Sequence, residues 1–211
     1  MGIKAKTLVA ALFVGLTSTI SRAQEFSADV VYLDSNSSNA PANGSNATSH
    51  PSSKLYVSKD KIRLETNGLT DTILLADRSE RTFVALQPKK KAYRLLASGP
   101  SEYFRVDNAE DACPSWQSFA EQKIACEKVD SEVINGRETV KYQNKNVAEG
   151  AVKAVWVDKA LKFVIKWQAS GVGAELRNIK EEQQSTDLFV VPSDYKIPPP
   201  QRGSSKGFAH K

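Results

Sequence analysis

Two cysteines, two histidines and 24 acidic side chains are the groups in this chain that could hold a metal, act as a nucleophile or move a proton. Their spacing supports little of that chemistry. Cys113 and Cys126 stand too far apart for a C-x-x-C redox pair, His50 lies in a Ser/Asn tract, and His210 is the penultimate residue. A Ser–His or Cys–His nucleophile needs a histidine held by packed surroundings, and neither histidine has them. There is no Gly-rich phosphate loop with its lysine, no H-E-x-x-H and no G-x-S-x-G. Asp29, Glu65, Asp71 and Asp158 fall at strand ends or on polar faces, where a carboxylate is ordinarily solvated. The expectation is a protein that is not an enzyme, with no catalytic residue, no metal and no cofactor.

The cysteines make sense through the N-terminal segment. Lys4 and Lys6 precede an apolar run from Leu8 to Leu16 that continues through small residues to Ile20, followed by Ser21-Arg22-Ala23. This is the pattern of a secretory signal peptide over 1–23, with small residues at Ser21 and Ala23 and cleavage expected after Ala23. An anchor helix is the alternative, but the run is too short to span a bilayer stably. No cysteine stands near the cleavage point, so a soluble periplasmic or secreted product is expected. An oxidising compartment would pair Cys113 with Cys126, free thiols being the other reading, and a loop of that size restricts the unfolded chain by about 3 kcal/mol.

The chain has 211 residues, 40% hydrophobic and 25% charged, enough for one domain with a sizeable core. Its formal charge is +5, but Lys4, Lys6 and Arg22 leave with the signal segment, so 26 basic side chains face 24 acidic ones in the remainder, or +2. That is no footprint for nucleic acid. Lys89-Lys90-Lys91 reads as a solvated hairpin tip rather than a nuclear signal.

Phe26 to Leu33 reads as a first strand, after which 34–53 is Ser, Asn, Ala, Pro and Gly, a flexible insertion without enough apolar surface to order itself. Asn36, Asn43 and Asn46 there are formal N-glycosylation acceptors, relevant only in a eukaryotic host. From Lys54 the dominant period is two: Leu55 and Val57, Ile62 and Leu64, Val140 and Tyr142, and Phe163, Ile165 and Trp167 alternate with polar residues. Turn signals fall at Ser58 to Asp60, Asp77 to Glu80, Gln87 to Lys89, Asn135-Gly136, Asp158 to Ala160 and Gly171 to Gly173. The template yields about ten antiparallel strands in a meander. Trp116, Phe119, Ala120, Lys123 and Ile124 recur near helical spacing after Pro114-Ser115, which predicts one short helix or lid between the cysteines. Leu188 to Val191 reads as a last strand or turn, and 197–211 as a disordered Pro/Gly/Ser tail behind a single domain over 24–196.

Several segments resemble uncharacterised secreted bacterial proteins whose domain is similar to the outer-membrane lipoprotein carrier LolA. They are Cys113-Pro114, Cys126-Glu127-Lys128, Val133 to Thr139, Trp156-Val157-Asp158 with Leu161-Lys162, Leu176 to Lys180, and Leu188-Phe189 with Pro192 and Tyr195. Lys61 to Glu65 and Asp77-Arg78 add to the likeness, which covers about 54–195. It implies a mainly β fold with short helices: a curved, unclosed antiparallel sheet, or half-barrel, under a helical lid. It also implies affinity for an acyl chain, a lipid or a lipidated partner.

Two functions follow as expectations. One is a non-catalytic binding module sheltering an apolar ligand on the concave face, with Leu64, Phe83, Trp156, Phe163, Ile165 and Trp167 as the candidate wall, because one short helix offers little apolar volume to cover that face. The other is an envelope structural or sensing protein with a filled core, binding another protein through an edge strand.

Overall fold

The computed structural model describes residues 25–34, 53–66, 71–120, 123–146 and 151–199. The signal segment 1–23, the Ser/Asn tract with Asn36, Asn43 and Asn46, and the tail from residue 200 lie outside the described residues. Alternation becomes eleven strands: β1 (Phe26–Asp34), β2 (Ser53–Ser58), β3 (Lys61–Glu65), β4 (Ile73–Asp77), β5 (Thr82–Gln87), β6 (Ala92–Leu95), β7 (Cys126–Ile134), β8 (Arg137–Asn144), β9 (Val152–Asp158), β10 (Phe163–Ala169) and β11 (Val172–Glu181). The helix predicted between the cysteines is α1 (Cys113–Phe119), with Pro114 in its first turn, where a missing N–H costs nothing. Leu188 and Phe189 belong to a 3-10 turn, Thr186–Phe189, rather than a strand.

All strand pairs are antiparallel and form one sheet in the order β6-β5-β4-β3-β2-β1-β11-β10-β9-β8-β7. The chain therefore starts mid-sheet, meanders out to β6, crosses to β7 and meanders back until β11 lies beside β1. Phe26 opposes Glu181 at one end of that central pair, and Asp34 opposes Val172 at the other. The sheet is unclosed, with β6 and β7 as its two edges. The hairpins β2–β3, β4–β5, β5–β6, β7–β8, β9–β10 and β10–β11 fall at the predicted turns, whereas β3–β4 and β8–β9 connect where no turn is expected; at the β7–β8 turn Asn135 and Gly136 take φ of 50° and 76°, the pair of positive values a type I′ turn demands.

Directly opposed residues share a face, so one apolar surface can be traced across the strands. It runs from Phe83 and Ala76 through Leu64, Leu55, Ala28 and Val30 to Leu176, Ala174, Trp167, Val155 and Tyr142. Its cover is larger than one short helix. Residues 96–125, which carry the chain from β6 to β7, bring Tyr103, Phe104, Val106, Ala109, Ala112 and Trp116 into the core beside Phe119 and Ile124. The Tyr103 ring meets Trp167 edge-on at 6.4 Å, Phe104 stacks on Trp116 at 6.5 Å, and the Tyr142 hydroxyl donates to the Ala109 carbonyl at 2.8 Å. Part of the cover also joins the sheet, since Val164 N–H donates to Phe104 O and Val106 N–H to Lys162 O, at 3.1 and 2.8 Å.

Cys113 and Cys126 are bonded, which fastens the first residue of α1 to the first residue of β7. Replacing both by serine should lower the unfolding free energy by about 3 kcal/mol through the regained entropy of the open loop. Urea unfolding of the oxidised wild type and the variant measures it, and an unchanged midpoint would refute a stabilising role.

Candidate functional site

The six candidate wall residues are placed by the register just described. Leu64 opposes Leu55 and Leu74, and Phe83 opposes Ala76, so both lie on the covered face. Gly99 passes over the Phe83 ring too closely for any side chain at that position. Trp167 lies on the same face under Tyr103. Ile165 is the extra residue of a bulge, because Val164 opposes Val157 while Lys166 already opposes Trp156. This interrupts the alternation that would have carried Phe163, Ile165 and Trp167 along one face. Phe163 stands where β10 has parted from β11 and pairs with Arg105 instead, and its ring meets Phe26 edge-on at 5.1 Å.

Trp156 is on the other face. It opposes Lys141 and Lys166, whose ammonium groups lie 4.9 and 4.8 Å from its ring centroid. Both lysines are held there by carboxylates, Glu132 at 3.4 Å and Glu175 at 3.9 Å. The structure thus groups Leu64, Phe83 and Trp167 on the covered face, sets Phe163 beside Arg105 of the cover, buries Ile165 at the bulge, and separates Trp156 from them. Aromatic type alone does not reveal strand parity, so the sequence places Trp156 with the wall and only the register moves it to the opposite face.

Asp158 departs from its expected solvated state. It is 1% exposed, accepts from the N–H groups of Ala160 and Leu161 at 2.8 and 2.7 Å, and pairs with the Arg137 guanidinium, which also reaches Glu181 at 2.7 Å. A carboxylate that caps its own turn and faces an arginine offsets its desolvation, so burial is tolerable. Asp29 remains at the surface, held below the usual carboxylate range first by the Asn178 amide and then by Lys54.

Two features were not among the sequence candidates. The first is a pocket of about 220 Å³ bounded by the β2–β3 turn, α1 and the start of β10, with Ile62, Phe119 and Phe163 as apolar lining and Arg78 and Arg105 as cations. Arg78, from the β4–β5 turn, donates to the carbonyls of Pro100 (2.6 Å) and Tyr103 and lies 4.5 Å over the Phe119 ring. It therefore ties the cover to the sheet at two carbonyls. Burial lowers its pKa to about 10, which leaves it charged at neutral pH. Arg105 donates to the Leu161 carbonyl at 2.7 Å and lies 5.8 Å over Phe163. The turn signal at Asp77 to Glu80 located Arg78 without showing that it points at a distant segment.

The second feature is the contrast between the sheet edges. β6 is covered by the end of the described chain: Tyr93 N–H donates to Lys196 O and Lys196 N–H to Lys91 O, both at 3.0 Å. Along β7, Val133 is 71% exposed and Val129 is 48% exposed, between Glu127, Lys128, Asp130 and Glu132. A bulge at Val129, between Lys128 and Asp130, interrupts its pairing with β8. Among the described residues no helix is long and apolar enough to cross a membrane.

No protein-family model and no curated protein matches the chain. Among solved structures it is similar to MucB in complex with MucA(peri), at 14% identity over 84% of this chain and 58% of that one, with a TM-score of 0.39. The MucA/MucB complex of Pseudomonas aeruginosa matches at 14% identity over 84% and 59%, with a TM-score of 0.40. A domain described as an outer membrane lipoprotein-sorting protein from Vibrio parahaemolyticus matches at 13% identity over 78% and 88%, with a TM-score of 0.31. The chain thus spans about 58% of the length of the first of these structures. Such distant likenesses leave the question of what this chain binds to its own geometry.

Burial pushes the Tyr103 phenol well above its ordinary value. In the unfolded chain that phenol ionises near 10, so above about pH 10 the unfolded state sheds a proton the folded state keeps, and stability falls as pH rises. Tyr32 and Tyr142, also raised by burial, act in the same direction. In urea unfolding between about pH 9 and about pH 11, Tyr103→Phe should lose less stability than the wild type. Equal losses would place the phenol in contact with water.

Proposed function

We propose that the protein is an exported, non-catalytic binding module whose apolar sheet face is occupied by its own β6–β7 connection, and that it takes a partner polypeptide along edge β7. The observation that carries this reading is the cover over the candidate wall: Tyr103 on Trp167, Gly99 on Phe83, and Phe104 and Trp116 behind them. A surface already buried against aromatic side chains of the same chain gains nothing by trading them for an acyl chain unless the cover leaves. The cover is held by the disulfide, the Tyr142 hydroxyl and the Arg78 guanidinium. The disulfide also suits the oxidising compartment that the signal segment implies.

Edge β7 suits strand addition. Its outer main-chain groups offer a ladder to an extended peptide, and Val129 and Val133 offer side-chain contacts. Its mixed charges and bulge discourage indiscriminate pairing with other edges, including another copy of β7.

A photo-crosslinking residue at Val133 should give discrete protein adducts in the native host, whereas one at Val190, also exposed, should not. Joint replacement of Val129 and Val133 by glutamate should weaken the captured partner at least tenfold, equivalent to about 1.4 kcal/mol, without changing the melting temperature. Native mass spectrometry and a fluorescent fatty-acid probe supply the opposing test. Copurifying lipid, or probe uptake that quenches Trp167, would return the sheet face to the lipid-sheltering reading.

A further inference from the structure

We infer that Asp130 selects, for edge β7, an extended segment that carries a basic side chain, lysine or arginine. The inference rests on the reading of β7 as a recognition edge and names the chemistry of its partner. The β7–β8 hairpin turns on Asn135 and Gly136 alone, so Ile134 and Arg137 form the hydrogen-bonded pair that closes it. Alternation of the ladder then directs the N–H and C=O groups of Val133 and Ser131 away from β8, toward an incoming strand. The Ser131 N–H is already engaged there, donating to the Asp130 carboxylate at 2.7 Å.

Charge singles out the same residue. Every other charged side chain of β7 has a partner within the chain: Glu127 meets Lys145 at 2.7 Å, Lys128 meets Glu110 at 2.5 Å, and Glu132 meets Lys141 at 3.4 Å. Asp130 is exposed and pairs with no cation among the described residues. A carboxylate without a counter-charge, which also blocks one rung of an open ladder, favours a strand whose own cation can take it. When a lysine or arginine of the partner meets Asp130, the Ser131 N–H is released to the partner's main chain, so ion pair and ladder form together. A second copy of β7 fits poorly, because its one basic residue, Lys128, already faces Glu110.

The probes are three capped peptides of alternating threonine and valine that differ only at the central residue, which is lysine, glutamine or glutamate. In NMR titrations of the wild type, the lysine peptide should saturate with shifts at the Ser131 and Val133 amides. The glutamate peptide should bind about fivefold more weakly, with the glutamine peptide between them. Asp130→Asn keeps an oxygen for the Ser131 N–H but loses the charge, so it should abolish that ranking with the melting temperature unchanged. Equal binding of the lysine and glutamate peptides along β7, or an unchanged ranking in Asp130→Asn, overturns the inference and leaves β7 a pairing edge without this selectivity. If no peptide shifts the β7 amides, strand addition at this edge falls, and the inference falls with it. The wild-type comparison of the three peptides stands even if the variant fails to fold.

Discussion

The packing of Tyr103, Phe104 and Trp116 onto the sheet face that carries Trp167 and Tyr142 is the contact on which the rest of the molecule depends. An unclosed sheet has no second sheet to bury its apolar surface, so a single face of eleven strands must be covered by something else. Topology supplies it. Because β1 and β11 pair in the middle, the chain leaves one half at β6 and enters the other at β7, the opposite edge. The crossing segment has to traverse the sheet, and it does so over the apolar face. The cover is thus a consequence of strand order, and the disulfide holds its far end where it rejoins the sheet.

The other face is organised by charge. Trp156 lies beneath two ammonium groups, each facing a carboxylate, and Arg137 joins the buried Asp158 to Glu181. Asn135, at the tip of the β7–β8 hairpin, donates to Glu175 on β11 at 2.8 Å. These contacts link the tip of the outermost hairpin to a central strand that is not its neighbour in the sheet. The part-buried members of this network are screened less by salt than the exposed pairs such as Lys91 with Asp194. One face is filled by aromatic side chains, the other is laced by ion pairs, and edge β7 keeps Val129 and Val133 exposed.

Much of the architecture was legible in the sequence because it rests on local rules. Period-two alternation marked the strands, Asn135-Gly136 and the other turn signals marked the hairpins, and the spacing around Trp116 marked the one helix. The pairing of Cys113 with Cys126 was legible because they are the two cysteines of the sequence and an oxidising compartment would pair them. Each of these depends on residues close together in the chain, or on a count that does not need the fold.

Only the tertiary structure decided which residues meet. Parity assigns Trp156 and Trp167 to opposite faces, and a bulge at Ile165 breaks an alternation that looks continuous as text. Asp158 appears as an ordinary turn carboxylate until Arg137 arrives across the hairpin. The size of the cover is not legible in the sequence, because Tyr103, Phe104 and Val106 stand in a stretch with no helical or strand period and their burial comes from strands distant in sequence. Arg78 likewise gains its meaning from Pro100 and Tyr103, whose carbonyls reach it only after the crossing segment has folded back over the sheet. Sequence determines the strands and turns through short-range sterics and patterning; which face is filled, and by what, is a long-range outcome of strand order.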